Sequence, residues 1–379
     1  MKTLLVTGGS GFIGSSFLRQ LFGYGEIGFP HEFLTEKLPA AYQKSPIREA
    51  YATKRLQVVN LDNLTYAGSR DSLAAIEKNV NYEFVKGDIN NEDLVRDLLE
   101  KHKPSAVVHF AAESHVDRSI TSPMNFVQTN VSGTCHLLEA VTTYWHDLKL
   151  GDRQSFRFLN VSTDEVYGSL PYPTMAHEGM AYNPSSPYSA SKGAADHFVS
   201  AYYKTYGLPT VTSISVNNYG PYQFPEKLLP LAIDMAAKNQ PIPIYGNGKQ
   251  VRQWTYVEDN CLALWHLLLA GNPGESYHIS GGNEVTNLEL IEQLCKLIDK
   301  ISSDRTKPAR ELIQFVKDRP GHDERYSLEC LKLANHFGWS PKITLEDGLE
   351  KTVRWYLENL DWSHNCHFRD GNFESYYHS

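Results

Sequence analysis

The feature that most restricts this chain is the run Gly8-Gly9-Ser10-Gly11-Phe12-Ile13-Gly14, set between a short β-rich stretch, TLLVTG, and a helical stretch, SSFLRQLF. Small residues at a strand-to-helix turn let the backbone approach a pyrophosphate, and the first helical N–H groups, with the positive end of the helix dipole, hold its charge. A glycine cluster alone is equally compatible with a structural turn, so its context decides. That context repeats along the chain. LQVVNLD, YEFVKGD, SAVVHFAA, FRFLNVSTD and TVTSISV read as strands. Between them lie a polar helix from Glu92, a long helical segment after Pro123, and a helix that begins near Ser186 and stops at Gly207-Leu208-Pro209. The rhythm is that of an α/β protein with a Rossmann-type doubly wound parallel sheet.

A chain of 379 residues exceeds what one core usually serves. Beyond Gly220 the spacing becomes irregular, as expected of a smaller mixed α/β C-terminal substrate domain, with helical patterns near 286 to 301 and 345 to 358. The expected division is a dinucleotide-binding domain over 1–215, part of 225–270 returning to it, a mainly substrate-binding unit over 216–360, and a tail over 361–379 without periodicity. His364, Cys366 and His367 in that tail read as surface residues rather than metal ligands, and no metal is expected. About thirty residues before the strand at 57 interrupt the rhythm and read as a surface insertion over about 24–55, without an assigned role.

Composition narrows the function. A net charge of -8 disfavours a general nucleic-acid binder, and no apolar run approaches the roughly 20 residues needed to cross a bilayer. The apolar run after Met1-Lys2 is too short for a secretory signal, and the five cysteines are odd in number and scattered, so a cytoplasmic protein with reduced thiols is expected.

Asp62 ends the second strand, where a carboxylate accepts hydrogen bonds from the adenosine ribose hydroxyls and repels a 2′-phosphate, which favours NAD over NADP. Asp88 and Phe110-Ala111-Ala112 also lie at strand C-termini, where ligands of open α/β sheets bind. Tyr188 and Lys192, four apart in a helical segment, share one face. An ammonium beside a phenol favours the phenolate and so prepares a base. Ser162-Thr163-Asp164-Glu165 closes the strand FRFLNV, bringing a hydroxyl and two acids to the edge that carries the glycine turn. An elimination of water needs a proton donor and a proton acceptor together.

Over nearly its whole length the chain resembles the dTDP-glucose 4,6-dehydratases, nucleotide-sugar dehydratases of the extended short-chain dehydrogenase/reductase superfamily. The resemblance rests on AAESHVDRSI (111–120), STDEVYG, SPYSASK, NNYGPYQFPEKLLP (217–230), YVEDN and DRPGHDERY (318–326), in this order. It implies catalytic roles for Thr163, Asp164, Glu165, Tyr188 and Lys192. Tyr188 takes the proton of the 4-hydroxyl, Glu165 removes the C5 proton and Asp164 protonates the leaving C6 hydroxyl. The resemblance further implies an NAD site formed by Gly8, Gly11, Phe12, Ile13, Gly14, Asp62, Asn63, Leu64, Thr65, Asp88, Ile89, Phe110, Ala111, Ala112, Ser114, Thr129, Tyr188, Lys192 and Asn218. Around the nucleotide sugar it places Ser114, Thr163, Asn217, Lys227, Leu228, Arg252, Asn287, Arg319 and His322, and it implies a homodimer through the helices after Pro123 and Tyr188.

Three places depart from the family pattern: the insertion, SISVNNYG where the family reads close to TNCSNNYG, and Gln253, where an Asp normally follows the arginine. Gln253 removes a charge expected to orient Arg252. The rival readings are a dehydratase or 4-epimerase acting on another nucleotide sugar such as UDP-glucose, and a non-catalytic NAD-binding protein.

Overall fold

The computed structural model describes residues 1–27, 42, 45–302, 305 and 307–369. Its strands are β1 (Lys2–Thr7), β2 (Leu56–Asp62), β3 (Tyr82–Lys86), β4 (Ala106–His109), β5 (Arg157–Thr163), β6 (Thr210–Ser215), β7 (Asn217–Tyr219), β8 (Ile242–Tyr245), β9 (Val251–Tyr256), β10 (Ser276–Ile279), β11 (Glu284–Thr286) and β12 (Ile313–Val316). A seven-stranded sheet runs β10-β6-β5-β4-β1-β2-β3, and every pairing in it is parallel. The chain starts at β1, winds out to β3, then crosses back to β4, so the order reverses beside β1. The glycine turn therefore sits at the switch point of a doubly wound sheet, where the crevice for a ligand opens.

Both faces of this sheet are covered, which is why its strands are apolar almost without a break. Leu4, Val6, Val58, Val108 and Leu159 point to one side, against Phe17, Leu18, Trp265 and Leu268. Leu5, Val59, Val107 and Phe158 point to the other, against Leu137, Val141 and Val199. The long helix Pro187–Tyr206 is delimited by its sequence. The Ser186 and Ser189 side chains form a capping box, Pro187 fills the first turn, and Gly207 ends the helix in the left-handed region at φ +79°.

The second unit is built on β9, which pairs antiparallel with β11 and parallel with β7, and on the parallel pair β8 and β12. Helices Leu228–Ala237, Asn287–Ile301 and Leu345–Glu358 close its core around Ile233, Ile242, Trp254, Leu290, Leu294 and Val353. The chain returns to the large sheet through helix Val257–Ala270 and then β10, so the return extends past 270 to Ile279.

Two expectations need correction. Within the insertion, residues 28–41, 43 and 44 lie outside the described residues, but the remainder is not a surface appendage. Helix Pro46–Ala52 buries Ile47 and Ala50, Tyr51 packs edge-on against Trp265, and Tyr42 donates or accepts at His266 Nδ1 over 2.6 Å. The segment seals one face of the sheet. In the tail, Leu360–Arg369 is helical. Trp362 packs edge-to-face against Trp355 and Tyr222, and Ser363 and Cys366 are buried. Helix 360–369 draws its stability from these contacts rather than from a long apolar stripe.

Candidate active site

The C-terminal ends of the central strands open on a cleft of about 450 Å³. At its floor Gly8 has φ +75°, and a Cβ there would strike the Ala111 backbone, while one on Gly14 would strike Gly8 and Gly9. The turn between β1 and helix Phe12–Leu21 is thus a cradle that side chains would fill. Asp62 accepts from the backbone N–H of Ser10 (2.8 Å) and of Leu64 (2.8 Å). Burial raises the pKa of its carboxyl against the pull of those hydrogen bonds. Asp88 accepts from Asn63 Nδ2 at 3.0 Å. Asn218 donates to Val216 O, which leaves its buried Oδ1 without a donor. A glycine cradle, a carboxylate at the end of β2 and a free amide acceptor together fit a dinucleotide.

The chemistry gathers where β5 ends. Thr163 Oγ1 lies 3.3 Å from Asp164 Oδ1 and accepts weakly from Glu165 N–H at 3.4 Å. Asp164 is buried, and its Oδ2 has no hydrogen-bond donor. Burial, reinforced by the charge of Glu165, pushes its pKa up to about 8 against the opposing charge of Arg252. Glu165 is also raised by burial, but Arg319, Arg252 and Lys227 all pull it down. Neighbouring acids with opposing surroundings divide into a proton donor and a proton acceptor.

Tyr188 departs from the sequence reading. Its phenol is raised by burial and by the charges of Glu165 and Asp164, with only the hydrogen bond from Thr163 acting the other way. The ammonium of Lys192 does not point at it but donates to Val161 O at 2.8 Å. Sharing a helix face puts the two residues on one side of the helix; a chain carbonyl, invisible in the sequence, then captures the lysine.

On the opposite wall Lys227 donates to Ser114 O at 2.9 Å, and Arg319 reaches Asp117 Oδ1 at 3.4 Å. His322 Nδ1 donates to Asp318 Oδ1 at 2.6 Å, and burial with the Arg319 charge pushes its pKa down to about 4, so it is neutral at pH 7. Arg252 is held by the carbonyls of Val251 and Asp323 at 2.8 Å each, beneath the Tyr326 ring. Gln253, which alternates to the other side of β9, accepts from Ser280 Oγ (2.9 Å) and Leu328 N–H (2.8 Å). Position 253 therefore faces away from Arg252, whose hydrogen bonds go to backbone carbonyls, so the missing charge at Gln253 leaves them intact. Gln253→Leu is expected to cost about 1–3 kcal/mol of stability by leaving two buried donors unmet, measured by urea unfolding, with nucleotide binding unchanged.

The cleft brings together all the residues singled out from the sequence except two. Leu64 acts through its N–H on Asp62, at φ 53°, and Asp164 lies beneath the wall behind Thr163. The sequence reading missed Glu226, Tyr245 and Asp117, all lining the cleft. Asp117 accepts from both Tyr245 and Arg319, and its place in AAESHVDRSI was the available signal.

Fold and site define a dinucleotide-binding enzyme of the extended short-chain dehydrogenase type. The model of the GDP-mannose 4,6 dehydratase family matches residues 47–352. A dTDP-glucose 4,6-dehydratase of Xanthomonas campestris is 47% identical, over 96% of this chain and 95% of that protein. The crystal structure of a dTDP-glucose 4,6-dehydratase from Streptomyces venezuelae, solved with NAD bound, is 40% identical with a TM-score of 0.80, over 96% of this chain and 99% of that one. A UDP-glucose 4-epimerase from Thermus thermophilus shares the fold at TM-score 0.75 but only 27% of residues, over 94% of this chain and 99% of that one. The chain belongs to the dTDP-glucose 4,6-dehydratase family.

Proposed function

We propose that this chain is a hydro-lyase that converts dTDP-glucose to dTDP-4-keto-6-deoxyglucose with NAD as a recycled cofactor. The observation that carries the reading is the pair at the end of β5: Asp164 holds its proton to about pH 8, beside Glu165, which three cations keep closer to ionised. Neither hydride transfer alone nor simple binding calls for such a pair.

NAD, when bound, would supply the hydride acceptor and donor for oxidation at C4 and reduction at C6. Gly8, Gly11, Gly14, Asp62 and Asn218 hold it, and Ser114, Thr129, Phe110, Ala111 and Ala112 shape its pocket. Tyr188, as a phenolate that accepts a hydrogen bond from the Thr163 hydroxyl, takes the proton of the 4-hydroxyl. Burial and the charges of Glu165 and Asp164 oppose formation of that phenolate, and the positive charge that bound oxidised NAD would bring favours it. The 4-ketone acidifies the C5 proton, which passes to Glu165. Asp164 gives its proton to the C6 hydroxyl, and water leaves. Glu165 then returns its proton to C5 as C6 is reduced. Arg319, Lys227 and Arg252 supply the positive field for the diphosphate, with Asn217, Leu228, Asn287 and neutral His322 completing the wall.

Purified protein given dTDP-glucose and, separately, UDP-glucose is expected to form an alkali-absorbing keto sugar from the first. Signal from UDP-glucose alone would overturn the nucleotide, and silence with both would overturn the dehydratase reading. Gly8→Ala, which combines a left-handed φ with a backbone clash, is expected to weaken NAD binding by about tenfold or more, measured by calorimetry.

The active form is a homodimer in the cytoplasm. Met124, Val127, Phe198 and Tyr206 expose large apolar side chains on helices that touch one another, and all five cysteines are free thiols. No helix among the described residues is long and apolar enough to cross a membrane. Phe198→Glu is expected to turn a dimer into a monomer in sedimentation; a monomeric wild type would contradict the assembly.

A further inference from the structure

Behind the catalytic wall, reaching the cleft only through Ser162 and Lys192, lies a buried polar cluster that the mechanism above does not use. Asp196, one turn beyond Lys192 on helix Pro187–Tyr206, accepts from Asn160 Nδ2 at 2.7 Å, Ser162 Oγ at 2.5 Å and Tyr182 OH at 3.2 Å. Asn160 and Ser162 alternate along β5, so both face this helix, and the next residues are Thr163, Asp164 and Glu165. Three oriented donors are what an ionised carboxylate needs to remain charged in an interior. Lys192 is equally buried, and its one hydrogen bond to Val161 O neutralises no charge.

We infer that Asp196 is a positioning residue: it is the counter-charge that keeps Lys192 an ammonium in the interior, and it ties the catalytic end of β5 to the Tyr188–Lys192 helix. The inference rests on the proposed dehydratase reading and on the catalytic role that the family resemblance implies for Lys192. Electrostatically, Asp196 is the group that opposes the loss of the lysine proton through burial, and Lys192 is the foremost charge that favours the Asp196 carboxylate. The remaining titratable neighbours do not compete. His109 on β4, bonded to Thr7 and Thr134, is pushed down to about 3 by burial and by Lys192, and is neutral. Tyr188 and Tyr182 are both raised by burial and are uncharged, and β5 contributes only Asn160, Ser162 and the Val161 carbonyl.

Removing one charge of a buried pair leaves the other uncompensated, whereas removing both relieves the strain. The test is a cycle of Asp196→Asn, Lys192→Met and the double variant, read as melting temperature at pH 8. Asp196→Asn is expected to lower the melting temperature by a few degrees when Lys192 is present, and to raise it when residue 192 has been changed to Met. An identical effect in both backgrounds overturns the pairing. In turnover, Asp196→Asn is expected to lower kcat about tenfold or more with KM for dTDP-glucose unchanged, and Asp196→Glu to recover much of the loss; equal loss in both variants overturns the positioning role. Should Asp196→Asn fail to fold alone but fold with Lys192→Met, the pairing is supported; failure in both backgrounds overturns it. The cycle needs no activity, so it can fail while wild-type keto-sugar formation stands, and the reverse also holds.

Discussion

Glu165→Gln is expected to lower keto-sugar formation from dTDP-glucose by at least about 100-fold, the usual range for removing a general base, with little change in KM. The amide keeps the shape of the side chain at the end of β5 but accepts no proton from C5. Loss of its negative charge also removes a force that raises Tyr188 and one that raises Asp164, so the oxidation half of the reaction is expected to survive. Stopped-flow absorbance on one turnover should therefore show reduced cofactor accumulating in the variant. A variant that stays within a factor of about three of wild type would assign the C5 proton to another group, since general-base removal has effects well above that.

The second large effect concerns pH. Asp164 must carry its proton to assist the leaving hydroxyl, and its pKa is raised from 3.8 to about 8 by burial and by Glu165. Activity dependent on the acid form is present below that value, so kcat is expected to fall as pH rises through about 8. Asp164→Asn is expected to cost about 100-fold in kcat or more and to lose this alkaline fall. Stability follows the same sign. The folded state keeps a proton that the unfolded chain releases near 3.8, so the favourable contribution is complete below that pH and is lost as pH rises through about 8. At pH 8 and above, Asp164→Asn is therefore expected to melt higher than wild type while doing less chemistry, a trade between stability and function. A wild-type profile flat from pH 6 to well above 9 would remove the acid role from Asp164.

Much of this site is legible in the sequence because the chemistry sits where local rules apply. The glycine turn, the acid that ends β2, and the helix bounded by Ser186 and Gly207 each follow from a few neighbouring residues. What stays hidden depends on partners far along the chain. Arg319 finds Asp117 across 202 positions, Lys227 finds Ser114 O across 113, and Lys192 turns to Val161 O rather than toward its helical neighbour. Gln253 looked like a lost charge beside Arg252, yet alternation along β9 sends the two side chains to opposite sides, and Arg252 is held by backbone carbonyls that no composition reveals. The helix Leu360–Arg369 and the packed end of the insertion were missed for a related reason: each is too short to show a period, and each is ordered by aromatic contacts from elsewhere, Trp355 in one case and Trp265 in the other.

The most direct test of the central claim follows a deuterium placed at C4 of dTDP-glucose through turnover, with the product read by NMR and mass spectrometry. The expected product is a 4-keto-6-deoxy sugar that carries the label at C6 of the same molecule, and in deuterated water it takes one solvent deuterium at C5. A label that remains at C4 of an epimerised sugar, or that is lost to solvent, contradicts dehydration by internal return of the hydride.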